Sequence, residues 1–155
     1  MDLSRSIEEM ISSFKSRTDY SETIFKKWIN APSNQGYTAI LFASYRGNID
    51  TIKILIENGA DIYSTNIQGL NVVHMASQGN QPSSIVYFKE KFNFDLMSLD
   101  GVGSTALHWA CYTGSEDAFN FLLSYNVNIN SQDNEGLTPL HLAIISGIIR
   151  IINQR

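Results

Sequence analysis

Three histidines and one cysteine are the residues of this chain whose types invite chemistry: His74, His108, His141 and Cys111. Neutral imidazoles hold zinc at about 2.0–2.1 Å, and three of them with a bound water make a hydrolytic site. A cysteine three residues from a histidine on one helix face has the spacing of a nucleophile and its base, as His108 and Cys111 do. A phosphate cradle would need Gly-x-x-x-x-Gly-Lys-Ser/Thr, and no such run occurs. The single cysteine excludes an intramolecular disulfide and a cysteine-based zinc site.

The segments that must position these side chains decide among the possibilities. Gly103-Ser104-Thr105-Ala106-Leu107-His108-Trp109-Ala110 is nearly repeated by Gly136-Leu137-Thr138-Pro139-Leu140-His141-Leu142-Ala143. Gly69-Leu70-Asn71-Val72-Val73-His74-Met75-Ala76 is a looser copy, and Gly36-Tyr37-Thr38-Ala39-Ile40-Leu41-Phe42-Ala43 a copy without histidine. The leading glycines follow one another at 33, 34 and 33 residues, the mark of a repeat architecture. The histidines therefore hold one position in successive units. Stacked helices lie about 8–10 Å apart, far beyond the reach of one ion. Thr-x-x-His puts the imidazole at the third position of a helix capped by threonine. There it bonds back to the cap or across to the neighbouring unit.

A Thr-Pro-Leu-His-x-Ala core at this period resembles the ankyrin repeat. Each unit carries further matching words: Gly47, Gly114 and Gly147 after the core, an aliphatic second run, and a closing Asn-Gly-Ala-Asp-Ile at 58–62, echoed at 126–130. The resemblance covers roughly residues 33–155. It implies an all-α solenoid of stacked helix-turn-helix units with extended turn tips. It also places Cys111 where the repeat takes a small buried residue, usually alanine. No third group orients a Cys111–His108 pair, so catalysis there is not expected.

Along the chain, Ile7, Met10, Ile11 and Phe14 form one helical stripe, and Ile24, Phe25, Trp28 and Ile29 a second, with Ser21 as its N-cap. Residues 1–32 read as an N-terminal helical cap, a degenerate repeat, because a solenoid needs atypical ends. Repeat 1 spans 33–65, with Thr38 capping its first helix and Gly59 ending its second. Repeat 2 (66–99) is irregular: Asn71 replaces the threonine cap, Asn80 stands where glycine is expected, and Pro82 opens the second helix. Phe92 and Phe94 are expected in the core. Repeat 3 (100–130) is regular, with Asn126 in place of the closing glycine. Repeat 4 (131–155) stops within a second helix beginning at Ile148. Ile148, Ile149, Ile151 and Ile152 would leave an apolar face there. That face implies a chain that continues, a covering partner, or self-association.

The net charge of −4 and a pI ≈ 5.2 argue against a nucleic-acid or anionic-membrane surface. No run approaches the ~18 apolar residues of a membrane span, and the start lacks a secretory signal's apolar core. A cytoplasmic setting fits, without cofactor or metal.

What remains is surface. The resemblance places binding residues on turn tips and first-helix ends. By position these are Tyr37, Tyr45 and Arg46; Gln68, Leu70 and Gln78; Ser104, Tyr112 and Thr113; and Glu135 with Leu137. Trp109 joins them as a residue partly available. Tyrosine and arginine are favoured at binding hot spots. The expected function is recruitment of another protein or peptide. A second expectation comes from wording: residues 104–112 and 132–141 are similar to ankyrin units ahead of protein S-acyltransferases of the Asp-His-His-Cys type. Their motif, zinc ligands and membrane helices are absent here. The resemblance implies a substrate-recruiting arm at the cytosolic face of a membrane, not acylation by this chain. A purely structural spacer would bind no partner at physiological concentrations.

Overall fold

A computed structural model describes residues 3–147. Among them are nine helices: α1 (Leu3–Lys15), α2 (Glu22–Ile29), α3 (Ala39–Arg46), α4 (Ile49–Glu57), α5 (Val72–Gln78), α6 (Pro82–Phe92), α7 (Ala106–Thr113), α8 (Glu116–Ser124) and α9 (Pro139–Ile145). The described residues contain no strand. The isoleucine-rich face expected at 148–152 lies outside the described residues.

The helices pair antiparallel and stack in two rows. The inner row is α3, α5, α7 and α9, each packed on the next; the outer row is α4, α6 and α8. Small residues let the inner helices approach: Ala43, Ala76, Ala110 and Ala143 are buried at the same place in each. Cys111 lies beside Ala110 and is buried with it. Ile52, Ile85 and Leu122 of the outer helices close the core from the other side. Phe94 is buried and Phe92 packs against the core, as expected.

Each pair turns through a left-handed residue after the inner helix. Gly47 (φ 71°) and Gly114 (φ 73°) take this role, and Asn80 (φ 54°) takes it in the irregular unit. Asn80 is held there because its amide reaches α8: Nδ2 donates to Asp117 and Oδ1 accepts the Ala118 N–H at 3.0 Å. Asn93 (φ 49°) and Asn126 (φ 53°) close α6 and α8 likewise. Gly79 has an ordinary φ of −82° and serves a different need. A Cβ there would lie 2.0 Å from the Tyr45 carbonyl oxygen, so glycine lets α5 sit against α3.

The tips between pairs are built alike by residues that differ. The side-chain oxygen of Ser33, Asn66, Asp100 or Asp133 accepts the N–H groups two and four residues on. Neighbouring tips are then tied by backbone bonds: Ile67 N–H to Gln35 O, Gly101 N–H to Gln68 O, and Asn134 N–H to Val102 O, at 2.8 to 3.1 Å.

The first two helices depart from this register. α1 rests chiefly on α4 rather than on the inner row. Ser4 reaches Asn48 and Thr51, and Lys15 donates to Asn58. Ile11, Phe25 and Ile29 are buried, but Met10, Ile24 and Trp28 are exposed, contrary to the stripes expected of them. An apolar cavity of about 320 Å³ opens between α1, α2, α3 and α4, lined among others by Leu3, Met10, Trp28, Phe42 and Leu55.

Candidate functional site

The histidines settle first. Asn71 caps α5: Oδ1 accepts the N–H groups of Val73 and His74, and its own N–H donates to His74 Nδ1 at 3.2 Å. Because a backbone N–H only donates, Nδ1 of His74 is unprotonated and Nε2 carries the hydrogen. That Nε2–H faces the carbonyls of Ser98 (3.1 Å), at the end of its own unit, and Ser104 (3.2 Å), in the next. His108 repeats the pattern. Its Nδ1 accepts from the Thr105 N–H (3.1 Å) and lies 2.9 Å from the Thr105 hydroxyl, while Nε2–H donates to Leu137 O at 3.1 Å. Both rings are fully buried. Burial pushes the His74 pKa below its usual value, because the charged ring would be desolvated.

His141 makes the same contacts with Thr138 but is exposed. In the first inner helix the equivalent residue is Leu41, also fully buried, and that join is apolar. Thr38 stands at the N-cap but does not bond the helix N–H groups expected of it. Its hydroxyl pairs with Ser64 Oγ at 3.0 Å instead. Ser21 likewise makes no side-chain cap bond. Burial pushes the Cys111 thiol up to about 12, so it is neutral and unreactive at pH 7.

The residues expected on the binding surface separate into groups. Tyr37, Tyr45, Gln78 and Thr113 line one open groove of about 860 Å³, together with Phe42 and Met75. Trp109, Tyr112, Glu135 and Leu137 line a smaller cavity of about 220 Å³ further along the stack. Gln68 is exposed on its tip. One assignment is corrected: Leu70 is 1% exposed. Ser104 is 4% exposed but still lines the smaller cavity with Trp109 and Tyr112. Each sits just before an N-cap, where the chain turns inward, so Leu70 fills the core and Ser104 gives its carbonyl to His74. Arg46 also stands apart from both grooves, at the rim of the apolar cavity beside α1.

Sequence reasoning missed Phe42 and Met75 in the first groove, and Asp100 behind the second. Asp100 Oδ2 accepts the Trp109 Nε1–H at 2.9 Å, which fixes the indole. The signal for Phe42 was its place one turn before Arg46 on an exposed helix face.

Stacked helix pairs, joined through the buried His74 and His108 and carrying open grooves along the stack, make a helical repeat scaffold. Sequence models of ankyrin repeats match residues 73–154 (three copies) and 40–88 (many copies). The chain belongs to the ankyrin-repeat family, whose repeats are protein-interaction modules. It is similar to the palmitoyltransferase AKR1 of Lachancea kluyveri, 29% identical over 120 residues, 76% of this chain and 16% of that protein. It is also similar to the transient receptor potential cation channel subfamily A member 1 of Homo sapiens, 28% identical over 127 residues, 78% of this chain and 11% of the channel. Inversin of Canis lupus familiaris is 32% identical over 130 residues, 82% of this chain and 12% of inversin. The chain thus spans 11 to 16% of these relatives. Among the described residues, no helix is long and apolar enough to cross a membrane.

Proposed function

We propose that this chain recruits a partner protein or peptide along the grooved side formed by its turn tips and inner-helix ends. One observation carries the reading. Tyr37, Tyr45, Gln78 and Thr113, chosen by repeat position alone, converge on a single groove with the exposed ring of Phe42, over the buried Met75. Aromatic anchors beside adaptable polar groups are what a protein-binding hot spot needs. The histidines and Cys111 contribute by holding the stack in shape. Tyr45 and Tyr112 are each exposed, so their loss leaves the core intact. Affinity capture with Tyr45→Ala and Tyr112→Ala tests the reading: both lose partner while keeping the wild-type melting temperature. Undiminished capture by both variants sinks it.

A second reading is favoured by the similarity to palmitoyltransferase AKR1 over 76% of the chain. In it, the module is the substrate-recruiting arm of a membrane-bound S-acyltransferase whose catalytic part lies elsewhere. Reading the coding sequence beyond Arg155 decides: hydrophobic spans with an Asp-His-His-Cys motif support it, and their absence from the whole gene refutes it.

A further inference from the structure

The cavity of about 220 Å³ between α7 and the tip at 133–137 differs in character from the larger groove. Two aromatic rings form one wall. Trp109 and Tyr112 stand nearly perpendicular, at 85°, with centroids 5.9 Å apart. The indole cannot swing freely, because Asp100 holds its Nε1–H at 2.9 Å. Two acidic residues, Asp133 and Glu135, belong to the same lining. One oxygen of Asp133 is spent on the Glu135 and Leu137 N–H groups, which pins the tip. The Glu135 carboxylate is exposed and meets no partner among the described residues. The remaining lining is aliphatic or already engaged: His108 has both nitrogens occupied, and no lysine or arginine lines the cavity.

Aromatic faces attract cations through their quadrupole, and best where the ring is held in place. Carboxylates in the same lining attract the same charge. We propose that this cavity takes a lysine or arginine side chain of the partner, its stem along Leu137 and its charged head between Trp109, Tyr112 and Glu135. The proposal rests on the partner-binding reading and adds the chemistry that the partner presents. The chain's net charge of −4 draws a basic peptide in the same direction. Exposed cation–π and ion-pair contacts are individually weak, so the pocket sets which residue is accepted more than how tightly the whole partner binds.

The test uses the full chain, labelled with ¹⁵N, and blocked pentapeptides Gly-Ser-Xaa-Ser-Gly in which Xaa is arginine, lysine, citrulline or norleucine. The readout is the Trp109 indole N–H resonance, identified through Trp109→Phe. Arginine or lysine peptides should move it saturably, and their relative strength tells guanidinium from ammonium preference. Citrulline and norleucine peptides should leave it in place. Glu135→Gln and Tyr112→Ala should each weaken the response by about threefold or more, and Tyr112→Phe, which keeps the ring, should not. Equal responses to citrulline and arginine overturn the proposal, as does indifference to Glu135→Gln. The two readings fail separately. A partner that is captured through Tyr45 while the indole ignores charged peptides leaves the groove standing and removes this pocket. Capture unaffected by Tyr45→Ala and Tyr112→Ala removes both.

Discussion

Replacing His108 with alanine tests the structural assignment of the histidines most sharply. The ring is fully buried, and three groups bond to it: the Thr105 N–H, the Thr105 hydroxyl and the Leu137 carbonyl. Thr105 is itself fully buried, so its N–H loses its partner out of reach of water. Such an orphan costs about 1–3 kcal/mol. The hydroxyl can turn elsewhere, and Leu137 is only half-buried, so water can reach its carbonyl. Removing the ring also leaves a void, and large-to-alanine changes in cores cost about 2–5 kcal/mol. The two terms overlap, because a water entering the void would satisfy the orphan. The expected loss is about 3–5 kcal/mol, a large share of the ~5–15 kcal/mol that holds a domain together. At about 2–4 °C per kcal/mol, the melting temperature should fall by about 6–20 °C. His141→Ala is the control. That ring is exposed and its partners reach water, so its loss should stay under about 1.5 kcal/mol. Thermal and urea melts followed by circular dichroism give both numbers. Equal losses at the two positions, or an unchanged melt for His108→Ala, would refute the reasoning.

Three further outcomes follow from the same packing. His74 has its pKa depressed by burial from the usual 6.5. As pH falls the unfolded chain takes the proton first, so the stability this histidine contributes is full above about 6.5 and lost below it; the urea midpoint should drop between pH 7.5 and 5, by less in His74→Gln. Gly79→Ala should destabilise by about 1–3 kcal/mol, since the new methyl meets the Tyr45 carbonyl oxygen at 2.0 Å; an unchanged denaturation curve would show that α3 and α5 separate without cost. Cys111, buried and with its pKa raised to about 12, should react with a thiol reagent at pH 8 only as fast as the stack opens; immediate labelling of the folded chain would contradict that.

The stack was legible in the sequence because its physics repeats. An N-cap position, a buried alanine and a left-handed residue return every 33 or 34 positions, and Asn71, Asn80 and Asn126 stand in where the usual residue is missing. The tip turns were not legible. Ser33, Asn66, Asp100 and Asp133 are of three residue types and have in common only an acceptor oxygen in the right place. The register of the first two helices was hidden for a different reason. A stripe such as Ile7, Met10, Ile11 and Phe14 says which face is apolar, not what covers it; α1 chose α4, and Met10 stayed in solvent. The candidate surface was half legible. Tyr37, Tyr45, Gln78 and Thr113, taken from repeat position, line one groove. Repeat position misplaced Leu70, because the backbone reverses between the tip and the cap within two residues and turns that side chain into the core.

The central claim is that function lies on the grooved side of the stack and not in its histidines. It is tested most directly by placing the photo-crosslinker p-benzoyl-phenylalanine at Tyr45, at Tyr112 and, on the outer face of α4, at the exposed Lys53, then irradiating in cells. The account predicts a discrete crosslinked partner from positions 45 and 112 and none from 53. Crosslinks from 53 alone, or the same product from all three, would contradict it.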